Sequence, residues 1–488
     1  MYIKAYQFML KSMKRYEKLA EQIAEMIRTE VLRPGDKTPS IRQASARFGV
    51  SPSTVFKAYY QLEGRGLIRA RERSGYYVCD NAHKQLPEPT PTVPAVTSTR
   101  VAVSDLIFSV LDSFGDSDIA PLGAAFPASQ LFPLQKLGQS LCRANRNEHS
   151  ITAHGNLSPG NQGLRRAIAR RYMTAGMDVA ADEIIITNGA LEGLTLALQA
   201  LTSPGDIIAI ESPGFYAALQ TIQLLNLRAI EIPMNPNEGL DLDVLEEALK
   251  ENHISACWCM TSFQNPLGST MLQSKKQALV ELLAEHKVPL IEDDVYGELY
   301  FGNTYPAPAK KYDRKGYVIH CGSFSKSLAP GYRIGWVLPG RYFETLRRAK
   351  LTTSLSASVP AQLAIADYLQ QGQYDRHLRR LRICLEDQQA EMAAAIASYF
   401  PPGTKVSRPS GGYFLWLELP GGIDSMALYQ LSLERGINFA PGPIFSASGD
   451  YRNCIRLNYG LPKGSIRPAI KTLGALTSSM METTGDSI

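Results

Sequence analysis

The chain has 488 residues, 44% of them hydrophobic and 20% charged. That is the make-up of a globular protein with room for two or three cores. No run of about 18 apolar residues occurs, which excludes a membrane-spanning helix. Residues 1–80 carry 15 Lys+Arg against 8 Asp+Glu, net +7, whereas the whole chain is +5, so a polyanionic partner is expected for the N-terminal part alone.

The first 15 residues hold Lys4, Lys11, Lys14 and Arg15 without the apolar stretch of a secretory signal. Tyr16–Val31 is amphipathic, with Leu19, Ile23, Met26, Ile27 and Val31 on one face. Pro34-Gly35 ends it. A second helix is expected over Ser40–Phe48, with Gly49 as the turn. A third is expected over Ser51–Glu63, with Ser51 as N-cap and Pro52 at the first helical position. Leu67–Arg71 and Gly75–Val78 follow as two short strands. Three helices and a two-stranded wing make a winged helix-turn-helix, whose third helix can enter a DNA major groove. Arg69, Arg71 and Arg73 sit on the wing, where a basic triplet either solvates a hairpin or meets phosphates.

Pro34-Gly35-Asp36, Pro39-Ser40-Ile41-Arg42, Gly49-Val50-Ser51, Thr54-Val55, Gly66-Leu67-Ile68 and Ser74-Gly75-Tyr76 occur in order. Over residues 16–79 this resembles the GntR-type DNA-binding domain. The resemblance implies DNA contacts by Arg42, Ser51, Ser53, Thr54, Ser74 and Gly75. Two positions often basic in relatives are Pro52 and Phe56 here, with Lys57 or Arg65 as the nearby substitutes.

Residues 84–99 contain four prolines and no helical period, the composition of an extended, semi-rigid linker. The domains expected are therefore a winged helix over 1–80, a linker over 81–104, a large module over 105–478 and a polar tail over 479–488. The seven cysteines are scattered. Cys257 and Cys259 lie in an apolar run with no nearby histidine, so they read as buried strand residues and no metal site is expected. Reduced thiols without an export signal place the chain in the cytoplasm.

In the large module Ile184–Thr187, Ile207–Glu211, Ala256–Met260, Pro289–Asp293 and Tyr317–Ser323 read as buried strands. Helical segments such as Leu191–Leu201 and Lys275–Glu285 lie between them. Apolar strands with helical crossovers imply a mainly parallel sheet with helices on both faces, an α/β fold. Beyond about residue 345 come long helices and the strands Tyr413–Leu419 and Cys454–Tyr459, which suggest a smaller α+β lobe.

Ser323-Phe324-Ser325-Lys326 is followed seven residues later by Arg333. Imine chemistry needs a lysine that can lose its proton, and neighbouring cations help. A phosphate anchor needs hydroxyls, backbone N–H groups and an arginine fork. Asn265-Pro266-Leu267-Gly268, Asp293-Asp294-Val295-Tyr296 and Asn188-Gly189-Ala190 all fall at the carboxyl ends of expected strands, where open α/β sheets place ligands. Together, over residues 120–475, these motifs resemble fold-type I, class I aminotransferases.

That resemblance implies roles. Lys326 would carry pyridoxal phosphate (PLP), and Asp293 would pair with its ring nitrogen. Tyr296 and Asn265 would bond its phenolic oxygen. Ser323, Ser325, Arg333 and the backbone at Ala190 and Leu191 would hold its phosphate. Phe215 would stack on the ring. Arg456, in Ile455-Arg456-Leu457-Asn458, would grip a substrate carboxylate. Relatives often carry Ser/Thr then Gln where this chain has Ala190 and Leu191. The tyrosine expected near residue 155 is missing, with His154 and Asn156 nearby. The two modules in this order resemble the MocR subgroup of GntR regulators. This implies a homodimeric transcriptional regulator whose aminotransferase-like domain senses PLP or an amino compound and alters operator binding. A working aminotransferase with an attached DNA-binding domain is the other reading.

Overall fold

The computed structural model describes residues 15–29, 31–33, 35–64, 67–71, 74–78, 86–112, 119–146, 157–302, 304–462 and 464–485. The chain divides into two compact units, residues 1–87 with 386–404 and 463–488, and residues 88–385 with 405–462.

In the first unit, helix α1 (Arg15–Arg28) buries Leu19, Ile23 and Ile27 in a small core shared with Ala44, Val55, Tyr59 and Leu62. The apolar stripe does not reach Val31, which is 63% exposed, because the helix has already closed at Arg28. Helix α2 (Ile41–Phe48) begins at Ser40, whose hydroxyl accepts from Gln43 N–H while the Gln43 side chain accepts from Ser40 N–H. Such reciprocal capping satisfies two otherwise orphaned donors. It ends at Gly49 with φ +63°, the left-handed conformation that glycine adopts without penalty. Helix α3 (Pro52–Gly64) is capped by Ser51, whose Oγ accepts from Thr54 N–H at 3.2 Å. Strands β1 (Ile68–Arg71) and β2 (Gly75–Val78) pair antiparallel, and Lys37 bridges Tyr77 on the far side of β2. This is a winged helix-turn-helix. Pro34, Arg65, Gly66 and Arg73 lie outside the described residues.

In the second unit the strands are β3 (Ile185–Thr187), β4 (Ile207–Ser212), β5 (Arg228–Asn235), β6 (Ile254–Cys259), β7 (Leu290–Asp293), β8 (Val318–Ser323) and β9 (Gly335–Leu338). Their order in the sheet is β5-β4-β6-β7-β8-β9-β3, with Thr99–Arg100 and Gly239–Leu240 both beside β5. Pairings from β5 through β8 are parallel, and β9 runs antiparallel to both its neighbours. Strand β5 escapes a hydropathy reading because Glu231 and Pro233 interrupt its apolar run. Glu231 is nonetheless buried, and its carboxylate accepts from Ser212 Oγ and Ala447 N–H.

Around this sheet lie α4 (Leu134–Asn145), α5 (Gln162–Thr174), α6 (Ala190–Leu201), α7 (Tyr216–Leu224), α8 (Gln273–Glu285), α9 (Val359–Gln370) and α10 (Gln373–Tyr399), the last continuing beyond this unit after Leu385. One large core joins Leu137, Ile168 and Ile365 to Ile186, Phe324 and Trp336. The smaller lobe carries a four-stranded antiparallel sheet, Lys405–Val406, β10 (Phe414–Glu418), β11 (Cys454–Asn458) and Ala440–Pro441. In it Trp416 stands opposite Arg456.

Two expectations change. The proline-rich stretch is not a free linker from Glu88 onward but lies on the large unit. Thr92 N–H donates to Met234 O, and its hydroxyl to Ser212 O. Thr90 bonds the Glu418 carboxylate through both N–H and hydroxyl, and Thr99 pairs with Ala229. Prolines without N–H groups sit well in such an edge segment. The end of the chain is not a bare tail, since helix α11 (Ile466–Gly485) runs through residues 479–485. Cys257 and Cys259 are buried in β6, and no metal-binding cluster occurs among the described residues.

Candidate functional site

The carboxyl ends of β3, β7 and β8 and the start of α6 converge on one site. Gly189, at φ +80°, turns the chain from β3 into α6. A Cβ there would lie 2.5 Å from Arg333 Nη2, and a Cβ on Gly335 would lie 2.5 Å from the Gly189 carbonyl carbon. Only glycine allows this approach of β9, Arg333 and the helix end. Arg333 Nη1 donates to Ser325 Oγ at 3.1 Å. Ser325 N–H donates to Ser323 Oγ, and the two hydroxyls are 3.0 Å apart. Ala190 and Leu191 are the first residues of α6, whose leading N–H groups have no partner within the helix. Two hydroxyls, a guanidinium and a helix N-terminus therefore face the same few ångströms, the arrangement that binds a phosphate dianion.

Lys326 follows directly. Its Nζ donates to Ala125 O at 2.7 Å and lies 3.5 Å from the centre of the Phe126 ring. Burial lowers its pKa to about 7 against the opposing pull of Asp293, with Arg333 and Arg456 adding to the depression. Asp293 closes β7 and is buried. Burial raises its pKa to about 7, although Lys326 and the Val295 N–H favour the charged form. Its Oδ1 is shut off from solvent with no hydrogen-bond partner. A buried acceptor in that state costs about 1–3 kcal/mol, a cost that an N–H donor entering the site would remove. Tyr296 is buried against Tyr413 and Phe414, and burial pushes its hydroxyl pKa upward.

Arg456 on β11 is fully buried. Its Nη1 donates to Asn265 Oδ1 at 2.8 Å and its Nη2 to Gly123 O at 2.5 Å. Its guanidinium carbon lies 4.2 Å from the Phe414 ring centre, while Nε has no partner. It forms no ion pair with a carboxylate among the described residues. A buried cation without a counter-ion is costly, and an incoming carboxylate is the group that would relieve it. Lys326, Asp293, Tyr296, Asn265 and Arg456 thus share one electrostatic environment, and Ser323, Ser325 and Arg333 adjoin it.

Phe215 joins this group through Tyr216. It is the residue before α7, partly exposed, and its ring partner is Tyr216 at 5.0 Å. Tyr216 itself is buried, lies close enough to Arg456 to feel its charge, and packs on Phe445. Sequence reading missed Tyr216, and also missed the segment Gly123–Phe126. Asn438 Oδ1 accepts from Gly123 N–H, Asn458 Nδ2 donates to Ala124 O and Phe126 O, and Tyr413 donates to Ala125 O. That segment has neither period nor motif.

The winged helix presents a second polar surface. Helix α3 turns Val55, Ala58, Tyr59 and Leu62 inward and leaves Ser53, Phe56, Lys57 and Tyr60 exposed. Ser51 Oγ lies 2.9 Å from Ser53 Oγ and 2.8 Å from Thr54 Oγ1. Arg42 on α2 is exposed, and in the wing Ser74 Oγ lies 2.7 Å from Tyr77 OH beside exposed Gly75. Arg71 stacks on Tyr77 at 4.4 Å. His154 and Asn156 lie outside the described residues.

Residues 134–473 match the family "Aminotransferase class I and II", and residues 15–78 match "Bacterial regulatory proteins, gntR family". The uncharacterized HTH-type transcriptional regulator YdcR of Escherichia coli is 45% identical over 95% of this chain and 99% of its own length. The uncharacterized HTH-type transcriptional regulator YjiR of the same organism is 39% identical over 96% of this chain and all of its own. Among solved structures, the α-aminoadipate aminotransferase LysN of Thermus thermophilus, complexed with N-(5'-phosphopyridoxyl)-L-leucine, superposes with a TM-score of 0.72. It is 28% identical, covering 77% of this chain and 95% of the other.

Proposed function

The chain belongs to the class I and II aminotransferase family and carries a gntR-family DNA-binding domain, and from that premise we propose that it is a PLP-binding transcriptional regulator. It acts in the cytoplasm as a homodimer on operator DNA. Its large domain senses PLP or an amino compound bearing a carboxylate. The observation that carries the cofactor reading is the orphaned Asp293 Oδ1 opposite Lys326, beside the Ser323–Ser325–Arg333 cradle that glycine 189 leaves open.

The residues present fit PLP. Lys326, with its pKa lowered to about 7, is available as a neutral amine for covalent attachment. Asp293 would accept the ring N–H, Tyr296 and Asn265 would flank the phenolic oxygen, and the helix end with Ser323, Ser325 and Arg333 would take the phosphate. When bound, the cofactor supplies an electron sink for bonds at the amino carbon. Arg456 orients a carboxylate, since its guanidinium lacks any other described anionic partner.

The regulator reading is supported by the exposed hydroxyls, Arg42 and Lys57 of the winged helix. An enzyme needs none of them. Footprinting on the flanking genomic DNA, with and without PLP, tests it. A protected tract that shifts or changes strength with PLP is expected, and no protection at any fragment would end the reading. Completeness of the set Lys326, Asp293, Tyr296 and Arg456 favours turnover as a second reading. Multiple cycles of amino acid to oxo acid would support it, and a single stoichiometric conversion would not. Arg456→Ala should weaken an amino acid at this site by at least tenfold while sparing the decarboxylated amine. Equal loss for both ligands would make Arg456 structural.

A further inference from the structure

Asp293 and Asp294 are neighbours, and in extended backbone neighbouring side chains point to opposite sides. Asp293 faces Lys326. Asp294 lines a separate cavity of about 570 Å³ within the large unit, between α5, the segment after β7 and the start of α10. The Asp294 side chain is only 5% exposed, and its Oδ1 has no hydrogen-bond partner. Its nearest cationic candidate, His320, is 3.9 Å away, and both His320 ring nitrogens are engaged elsewhere, with Glu292 at 2.8 Å and Tyr172 OH at 2.7 Å. Burial keeps the Asp294 carboxyl well above the usual range. Glu292, Asp293 and Glu298 add to this, and Lys276 opposes it. A small cation placed against Asp294 would favour its charged form and offset the repulsion from Glu292, Asp293 and Glu298.

The cavity also holds a spare positive charge. Of its three guanidiniums, Arg171 is tied to Glu298 and Asp375, and Arg382 donates to Glu298 O and stacks on Tyr300. Arg379 is exposed and makes no ion pair or hydrogen bond among the described residues. The walls also include Tyr300, Tyr305, Trp336 and Leu378. One unpartnered carboxyl, one unpartnered guanidinium and aromatic walls are complementary to a zwitterion with an apolar ring.

We propose that this cavity is a second ligand site that takes a free aromatic amino acid, its ammonium on Asp294, its carboxylate on Arg379 and its ring against the aromatic wall. The site goes beyond the cofactor reading and does not depend on it. It is placed to influence that reading all the same. Ser323 lines the cavity and also joins the phosphate cradle, and Val295, one residue past Asp294, lines the cavity as well.

The test uses full-length protein loaded with PLP and reduced with borohydride, so that Lys326 cannot react with an added amine. Titration calorimetry with L-phenylalanine should give saturable one-to-one binding. Asp294→Asn and Arg379→Ala should each weaken it by tenfold or more. Phenethylamine, which lacks the carboxylate, should bind wild type and Arg379→Ala alike and still depend on Asp294. Absence of saturable heat with wild type, or unchanged affinity in both variants, would overturn the proposal. The unreduced protein, followed by its visible spectrum, reports on Lys326 alone, so failure of the cofactor reading appears there and leaves the calorimetric result to judge the cavity.

Discussion

Two helix N-termini in this chain carry clustered hydroxyls, and the two clusters differ in burial. At α3, Ser51, Ser53 and Thr54 cluster at an exposed helix start. At α6, Ser323 and Ser325 are buried beside the helix start, while Arg333 and Leu191 remain exposed. A phosphate in the first setting stays in contact with water and salt, so its attraction is screened within about 10 Å. In the second it meets two buried hydroxyls already aimed at it, with the guanidinium of exposed Arg333 closing the cradle from the solvent side. The difference suits the partners proposed above: a polyanion held by many weak, interchangeable contacts, and a single phosphoester held by few strong ones.

The largest effect should come from Lys326→Ala. Loss of the amine removes the visible absorption band of covalently bound PLP altogether, while DNA binding by the winged helix in the absence of PLP remains measurable. A mutant with the wild-type spectrum would show that the two helix ends do not serve different ligands.

Arg333→Ala should raise the dissociation constant for PLP by about 10- to 100-fold, as expected for one charge-assisted bond of about 1.5–3 kcal/mol. Equilibrium dialysis measures it. The pH profile sharpens the same point. Lys326 is protonated below its lowered pKa of about 7, and Asp293 becomes charged above a similar value. Both changes favour PLP capture as pH rises. The rate of band formation should therefore climb about tenfold per unit below pH 7 and level off above 8. A rate still climbing at pH 10 would mark an ordinary lysine.

At the exposed helix end the effects are smaller and salt-dependent. Arg42→Ala should weaken operator binding and reduce the slope of log affinity against log salt by about 1. An unchanged slope would remove Arg42 from phosphate contact. Ser51→Ala, tested by thermal melting, should cost about 1 kcal/mol of stability through the lost cap and leave PLP binding untouched.

Where chemistry needs particular residue types close together in sequence, the site was legible. Ser323, Ser325, Lys326 and Arg333 span eleven residues, and their geometry follows from one strand end and one turn. The winged helix was legible because its caps are local: Ser40, Gly49 and Ser51 act on neighbours within five residues. What escaped depends on contacts distant in sequence. Tyr216 matters because β11 brings Arg456 to it, and nothing near Tyr216 says so. Gly123–Phe126 is held by Asn438, Asn458 and Tyr413, more than 280 residues away. The proline-rich segment reads as a linker because its partners, Ser212, Met234 and Glu418, are invisible from within it. Asp294 hid beside a better-known neighbour, and only the cavity separates their roles.

The meeting of β9 and α6 has a consequence for the entropy of binding. Gly335 lies against the backbone of Gly189 and Ala190, and Gly193, one turn into the helix, lies against Val337. Neither contact depends on a rotating side chain of α6, and glycine has no rotamers to lose. At these two points the helix itself meets β9 with main chain alone. A phosphate arriving there finds N–H groups whose positions were settled when the chain folded, so little further ordering remains to be charged against its affinity.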